Sequence, residues 1–298
     1  MSFSSDVTWQ LDGVQMDGTV LRPAGSGPFP AVVLVAGSGP TDRDWCSPLL
    51  PGSNGSGELL AQEFATAGIA SIRYDKRDSG PHLMENLPKL AGKLVGLGNS
   101  EGTLHVLHYA AAAQRFPFRG LVLTAPPGRA ISAVLLSQLA LQAAALPDGE
   151  LLMEKVKEAT ARYSAGESMN PDPALPESVR MLLASFEVPA NLPFARELWV
   201  ESACDALEAI TIPTLVLIGE KDVQFDVAAD GNPLREAAEG MEHIEFAFPE
   251  HANHVLKEEL RTRTELIAAP GSGYSEESTR LDPQSVKIVV DWLTTTFQ

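Results

Sequence analysis

The spacing of hydrophobic positions changes along the chain. Near the N-terminus, the extended runs VTWQLDG and VQMDGTVLRP are separated by Asp-Gly pairs, which predicts antiparallel strands joined by turns. From Pro30 onwards, segments of helical spacing alternate with short apolar runs, namely AVVLVAG, ASIRYD, KLVGLG, RGLVLTAP, PTLVLIG and HIEFAFP. Continuous apolar runs of this length are typical of strands buried on both faces. The alternation predicts an α/β fold with a mostly parallel sheet and helices on both faces.

The alternation stops between residues 128 and 208. This segment contains helical patterns such as AISAVLLSQLALQAAAL, separated by proline-rich joints, and shows no pattern of a buried strand. It is therefore predicted to be an all-helical insertion. We expect a core formed by residues 1–127 and 209–298, and a helical cap, or lid, formed by residues 128–208.

Two helices that follow the insertion have recognisable start signals. Asn232 is predicted to be an N-cap, with Pro233 at the first helical position. The last helix is predicted to begin at Asp282-Pro283, and its apolar positions share one face: Val286, Val289, Val290, Leu293 and Phe297.

Composition narrows the range of partners. The 298 residues are 44% apolar and carry a formal net charge of −17, so we expect no nucleic-acid partner and no stable association with anionic membranes. The most apolar stretch, 130–146, is too short and too often interrupted by polar residues to cross a bilayer. Cys46 and Cys204 are the only cysteines and are expected to be reduced thiols. The first residues lack a secretory pattern, which favours a cytoplasmic protein.

The segment LVGLGNSEGTL carries the strongest candidate for chemistry. It places Ser100 between Gly98 and Gly102, after a predicted buried strand and before a predicted helix. A G-x-S-x-G pattern in this context is typical of a nucleophile elbow, in which a strained turn exposes the serine hydroxyl above the sheet. The flanking glycines leave room for the turn, and the N–H of Glu101 at the helix N-terminus can donate to an oxyanion.

A nucleophilic serine needs a base, and the base needs an orienting carboxylate. The chain order expected for an elbow serine is serine, then acid, then histidine. Asp222 follows the predicted strand TLVLIG and is the preferred acid, with Asp226 in reserve and Glu220 less favoured. The loop after the next strand offers His251 and His254, of which His254 is preferred because it lies farther from the strand.

A second oxyanion donor is expected from the loop GSGPTDRD. Gly37 and Gly39 would let the backbone approach the serine, which makes the Ser38 N–H the natural donor. Two charged clusters follow adjacent strands and are predicted to form salt bridges that hold the loops around the site: Asp42, Arg43 and Asp44 in one, and Asp75, Lys76 and Arg77 in the other.

Four motifs together resemble the α/β-hydrolase superfamily, and within it a serine esterase, carboxylesterase-like branch: GSGPTDRD at 37–44, RYDKR at 73–77, GNSEG at 98–102 and NHV at 253–255. The resemblance covers the chain apart from the insertion, which stands where such hydrolases carry a cap. It implies that Ser100 is the nucleophile, Asp222 the acid and His254 the base. The amides of Ser38 and Glu101 would form the oxyanion hole.

The chain departs from these relatives in three places. Ala36 stands where relatives have a histidine before the oxyanion-loop glycines, and Asn99 replaces the histidine that commonly precedes the serine. Asn99 is therefore expected to alter the packing around Ser100. The connection between Lys76 and Lys93 is also short, with about 16 residues for a parallel crossover. Either a helix has been trimmed there or residues are absent from the sequence.

These features predict hydrolysis of a small-molecule carboxylic ester, with a short to medium acyl chain, through an acyl-enzyme intermediate. Cap helices would line the acyl pocket. No metal ligand cluster or dinucleotide fingerprint is evident, so no cofactor and no metal are expected, and the protein should be a monomer or homodimer. The alternatives are thioester, lactone, peptide or hydrogen peroxide chemistry on the same triad, a lipase whose cap opens onto lipid, and a catalytically silent binding protein.

Overall fold

The computed structural model describes residues 2–11, 14–37, 41–46, 52–75, 91–112, 117–144, 146–189, 192–276 and 279–297. Eight strands form one sheet: β1 (Ser2–Leu11), β2 (Val14–Pro23), β3 (Phe29–Val35), β4 (Ala70–Tyr74), β5 (Ala91–Asn99), β6 (Gly120–Thr124), β7 (Thr214–Leu217) and β8 (Ile244–Ala247). Every strand expected from the apolar runs is therefore present. The predicted turn or short helix before β5 lies mostly outside the described residues, as does the connection formed by residues 76–90.

The strands lie in the order β1-β2-β4-β3-β5-β6-β7-β8. β1 and β2 pair antiparallel, and β2 pairs antiparallel with β4. All the remaining neighbours are parallel. The predicted mostly parallel sheet is thus confirmed. The crossovers bring the carboxyl ends of β5, β7 and β8 to the same edge of the sheet, where the candidate residues follow those strands.

Helices cover both faces of this sheet. The α-helices of the described residues are α1 (Ser56–Thr66), α2 (Glu101–Ala111), α3 (Ile131–Ala143), α4 (Gly149–Ser164), α5 (Glu177–Ser185), α6 (Leu192–Leu198), α7 (Ala203–Glu208), α8 (Asn232–Ala237), α9 (Arg263–Ala268) and α10 (Pro283–Phe297), and five of them pack on the sheet. One core cluster joins the sheet to α2, α7 and α8, and a second joins its other face to α1 and α10. On α10 the expected apolar face packs inward, with Val289, Leu293 and Phe297 buried and Val286 and Val290 half-buried.

Between residues 128 and 208, every regular element in the described part of the chain is a helix. A separate hydrophobic cluster holds α3, α4 and α5 together and includes Leu139, Val156, Tyr163 and Leu183. In contrast, Ala203 and Leu207 of α7 belong to the cluster on the sheet face. The helical segment therefore has its own apolar core, while its last helix packs with the sheet.

The expected N-cap at Asn232 is wrong. A single π-helical turn, Val227–Gly231, runs directly into α8, so Gly231 already has helical dihedral angles before Asn232 is reached. The capping residue is Asp226, whose Oδ1 accepts hydrogen bonds from the backbone N–H groups of Ala228 (2.9 Å) and Ala229 (3.0 Å). The first N–H groups of the joined helices are satisfied there, and no second cap is needed at Asn232.

None of the helices in the described part of the chain combines the length and apolarity that a bilayer crossing needs.

Candidate active site

Ser100 occupies the turn between β5 and α2. Its backbone has φ +56° and ψ −126°, a strained conformation for a residue with a side chain. Hydrogen bonds hold this turn: the Ser100 N–H donates to the Thr124 carbonyl (2.9 Å), and the Thr103 N–H (3.0 Å) and Oγ1 (2.6 Å) donate to the Ser100 carbonyl. Ser100 itself is 7% exposed. Strain that is held in place this firmly is a feature of functional sites.

The glycines around Ser100 stand where no side chain would fit. A Cβ on Gly98 would lie 2.3 Å from the carbonyl oxygen of Gly102, and one on Gly102 would lie 2.6 Å from that of Val35. A Cβ on Gly37 would lie 3.0 Å from Cβ of Ser100. The elbow therefore packs tightly against the end of β3 and the loop that follows it.

Asp222 and His254 form a buried pair. Nδ1 of His254 lies 2.8 Å from Oδ2 of Asp222, and the two residues are 6% and 1% exposed. Oδ1 of Asp222 accepts hydrogen bonds from the N–H groups of Gln224 (2.7 Å) and Phe225 (3.0 Å). A carboxylate oxygen accepts, so Nδ1 of His254 is the donor in this contact, and Nε2 is the ring nitrogen that remains for proton exchange.

The loop that carries His254 is closed by Asn253. Oδ1 of Asn253 accepts hydrogen bonds from the backbone N–H groups of Val255 (3.0 Å) and Lys257 (3.1 Å). The backbone N–H of Asn253 donates to the Lys257 carbonyl (3.0 Å). Leu256 completes the turn in the left-handed region, with φ +62°. The NHV motif thus builds a compact turn whose shape determines where the histidine side chain starts.

Asn99 connects this loop to the turn that carries Ser100. Its Nδ2 donates to the backbone carbonyl of His254 (3.0 Å) and to Oγ1 of Thr124 (3.1 Å). Thr124 in turn donates to the Gly98 carbonyl (3.1 Å). Asn99, directly before Ser100, therefore bonds to the backbone of His254, the histidine that the sequence predicts to act with Ser100. The bond is made by the side-chain amide that stands where relatives commonly have a histidine.

Two aromatic rings lie near the imidazole of His254. The ring of Phe225 lies 5.3 Å from it between centroids at an interplanar angle of 25°, and the ring of Tyr274 lies 6.2 Å away at 24°. Sequence reasoning missed both residues. Phe225 follows the acid closely enough to have been considered, whereas nothing in the sequence marks Tyr274.

The reserve candidates are occupied or directed elsewhere. Asp226 caps the π-helical turn through Oδ1, and its Oδ2 pairs with the Arg263 guanidinium at 2.6 Å. Glu220 is exposed, and Nδ1 of His251 is buried with no hydrogen-bond partner in the part of the chain that the structure describes. Of the candidate acids and bases, the structure brings Asp222 and His254 together.

The expected oxyanion donors are only partly described. Glu101 is the first residue of α2, where the N–H groups and the helix dipole favour negative charge. Its carboxylate contacts Nε2 of His105 at 3.2 Å. Ser38 and Gly39 lie outside the described residues, whereas the Gly37 carbonyl accepts a hydrogen bond from Oγ1 of Thr41 (3.3 Å).

The expected salt bridges link the two loops behind this site. Nε of Arg43 lies 3.1 Å from Oδ1 of Asp75, and the Arg43 backbone N–H donates to the same oxygen at 3.0 Å. Hydrogen bonds from Arg43 lower the pKa of Asp75. Nε of Arg73 pairs with Oδ1 of Asp44 at 2.7 Å. The prediction is confirmed for Arg43, Asp44 and Asp75, although the partner of Asp44 is Arg73, which was not among the predicted residues. Oδ1 of Asp42 instead accepts hydrogen bonds from the backbone N–H groups of Asp44 and Cys46, and Lys76 and Arg77 lie outside the described part.

A cavity of about 320 Å³ lies between α3 and the segment after α9, and Tyr274 forms part of its wall. The other lining residues are Gln138, Leu141, Gln142, Val223, Gln224, Ile267, Pro270 and Gly271. Across the described ranges, no cluster of three or more His, Cys, Asp or Glu side chains is arranged to hold a metal ion. Cys46 and Cys204 are both free thiols.

The sheet order, the helices on both faces and the strained serine between strand and helix define an α/β-hydrolase fold. Two solved structures share it: the Pyrococcus furiosus esterase PF2001 (TM-score 0.54, 15% identity, 99% of this chain and 92% of that one) and the Mycobacterium smegmatis proline iminopeptidase (TM-score 0.53, 14% identity, 98% of both chains). The chain therefore has the α/β-hydrolase fold that its motifs predicted.

At the level of sequence, the esterase EstD of Thermotoga maritima is 27% identical over 268 residues. The alignment covers 81% of this chain and 58% of EstD, so the chain matches less than two thirds of that relative's length. No protein-family model matches the chain.

Proposed function

We propose that the protein is a serine hydrolase that cleaves carboxylic esters through an acyl-enzyme intermediate. The observation that carries this proposal is the buried Asp222–His254 pair, which Asn99 bonds to the strained elbow of Ser100. A pure binding protein would have no need of a strained serine together with a histidine oriented by a carboxylate. The similarity to EstD, itself an esterase, supports ester chemistry over the other reactions of this fold.

In the proposed reaction, Nε2 of His254 takes the proton of Ser100 while Oγ attacks the ester carbonyl. Asp222 holds the ring in the tautomer that makes this possible and stabilises the imidazolium that forms. The Glu101 N–H donates to the developing oxyanion, with the Ser38 N–H as the second donor. His254 then protonates the departing alcohol, and the same ring activates the water that releases the acid.

We further propose that the substrate is a small-molecule ester with a short to medium acyl chain. The cavity between α3 and Tyr274 supports a modest acyl group, since its volume of about 320 Å³ is small for a ligand pocket. Its wall includes three residues of the helix that was expected to line such a pocket. In this proposal residues 128–208 act as the cap over a core of residues 1–127 and 209–298.

Because the two free thiols suit a reducing compartment, we propose a cytoplasmic enzyme. We also propose that it acts as a monomer or homodimer.

The decisive experiment is labelling with a fluorophosphonate, with the adduct located by mass spectrometry. We expect a single adduct on Ser100, loss of labelling in Ser100→Ala, and retained labelling in Ser71→Ala. Ser71 is a matched control because it is likewise a buried serine, on β4, and its hydroxyl has no partner within the described residues. Absence of an adduct on Ser100 would overturn the proposal.

Substrate class is then tested with p-nitrophenyl esters of increasing chain length, beside a thioester, a lactone and a prolyl amide. We expect the highest kcat/KM among short to medium esters. Activity that appears only on long chains at an emulsion interface would indicate a lipase instead, and preference for the amide would indicate a peptidase.

A further inference from the structure

Two aromatic rings from outside the triad lie close to the candidate base. The rings of Phe225 and Tyr274 are within about 25° of parallel to the His254 imidazole, at centroid distances of 5.3 Å and 6.2 Å. Asp222 faces the ring at its Nδ1 edge, 2.8 Å away. Because protein interiors are close-packed, rings this near restrict movement of the imidazole away from Asp222.

Tyr274 is held in this position from two directions. At its side chain, Nε2 of Gln224 donates to the phenolic oxygen (3.0 Å), while the Gln224 backbone N–H holds Asp222. At its backbone, the ammonium of Lys257 donates to the Tyr274 carbonyl (2.8 Å). Tyr274 is thus bonded through Gln224 to the loop that carries Asp222, and through Lys257 to the loop that carries His254.

Lys257 is otherwise unexplained. It is only 1% exposed, although burial of an ammonium is costly, and it takes no part in the proposed reaction. Its backbone belongs to the turn that Asn253 closes around His254. The Lys257 side chain therefore links this turn to the backbone of Tyr274, whose ring lies near the histidine.

We propose that Tyr274 and Lys257 are positioning residues for the base: Lys257 holds the Tyr274 segment in place, so that Tyr274 and Phe225 clamp the His254 imidazole in its reactive orientation. This inference rests on the proposed function, in which His254 is the base. Tyr274 acts through the histidine.

The clamp also suits the charge that develops during turnover. When His254 accepts a proton, it becomes a cation close to two aromatic rings, and aromatic faces attract cations within about 6 Å. The phenol of Tyr274 stays neutral, since burial and the nearby charge of Asp222 raise its pKa. Holding the ring still matters as well, because a displacement of about 1 Å can reduce a rate by about 100-fold.

The test compares Tyr274→Leu, which removes the ring, with Tyr274→Phe, which keeps it. With the shortest active ester we expect kcat of Tyr274→Leu to fall by about 10- to 100-fold. The acid limb of its pH profile should move down by about half a pH unit, because the imidazolium loses one aromatic face. Tyr274→Phe should restore most of kcat and the pH profile.

Tyr109→Leu is the matched control. Tyr109 packs against Phe118 at the far end of α2 from Ser100, so its loss removes an aromatic ring without touching the base. We expect unchanged kcat in this variant. If Tyr274→Leu also kept the wild-type kcat and pH profile, the clamp would be refuted.

Lys257→Met tests whether Lys257 holds the Tyr274 segment in place. We expect it to lower kcat in the same direction as Tyr274→Leu, and the double variant to be no slower than the worse single one, because both changes release the same ring. Additive losses would overturn the role given to Lys257. Circular dichroism at the assay temperature selects folded variants, and fluorophosphonate labelling of wild-type Ser100 separates failure of the clamp from failure of the proposed function.

Discussion

Asn99→Ala tests whether one side chain holds the nucleophile elbow and the histidine loop together. The amide is 3% exposed, and its Nδ2 donates to the His254 carbonyl at 3.0 Å and to Oγ1 of Thr124 at 3.1 Å. The substitution removes both contacts and adds no new group. Thr124 keeps its bond to the Gly98 carbonyl, so the main loss falls on the carbonyl of His254.

The magnitude follows from that loss. A buried acceptor that loses its donor costs about 1–3 kcal/mol, so we expect Asn99→Ala to lower the free energy of unfolding by about 2 kcal/mol. In a chain of this size each kcal/mol shifts Tm by about 2–4 °C, which gives a fall of about 4–8 °C. The freed histidine loop should also move the base relative to Ser100, with kcat reduced by about 10- to 100-fold.

The assay pairs thermal unfolding with hydrolysis of a p-nitrophenyl ester. Asn54→Ala provides a matched control, because Asn54 is also buried and its Oδ1 accepts from the N–H and hydroxyl of Ser56 at the start of α1. That variant should lose stability while keeping kcat. The reasoning is refuted if Asn99→Ala melts within about 1 °C of the wild type and retains kcat within about twofold.

Three further predictions use other parts of the site. Asp222→Asn should lower kcat by about four orders of magnitude with little change in Tm, whereas Asp226→Asn should leave kcat nearly unchanged; steady-state kinetics decide, and the opposite ranking would reassign the acid. Gly98→Ala should destabilise the fold by about 1–3 kcal/mol or prevent folding, since its Cβ would lie 2.3 Å from a backbone oxygen of α2, and a wild-type urea midpoint would contradict this. Arg43 lowers the pKa of Asp75 in the folded state, so the stability that this carboxylate adds is complete above its unfolded pKa of about 3.9 and is lost as pH falls through the lowered folded value. The Tm difference between wild type and Asp75→Asn should therefore be larger at neutral pH than in strong acid, and a constant difference would refute the assignment.

Much of the fold could be predicted because its signals are local. A strand buried on both faces needs a continuous apolar run, and an amphipathic helix needs an apolar face, so β3 to β8 and α10 are visible as patterns of neighbouring residues. The elbow is local as well, since GNSEG combines the serine with the glycines that its strained turn requires. The N-cap at Asn232 shows the limit of such signals: a proline in a favourable position indicates a helix start, but Asp226 had already begun the helical run with its own cap.

The choice among candidate acids and bases shows where local signals end. Asp222 and Asp226 lie in the same loop and have the same chemistry, so spacing alone could rank Asp222 above Asp226 as the acid but could not exclude Asp226. They differ in direction: one carboxylate meets the histidine, and the other caps a helical turn and binds Arg263. Direction depends on the backbone path of the whole loop, which is determined by how that loop packs on its neighbours.

By itself, the sequence determined the strands, the helices, the strained serine and a short range of partners for it, because each of these depends on residues close together along the chain. Only the tertiary structure decided which groups meet. Asn99 and His254 are 155 positions apart and form a hydrogen bond, and Tyr274 reaches the same histidine without any motif to mark it. The physical reason is that parallel crossovers bring distant strand ends to one edge of the sheet, where side-chain packing determines each contact.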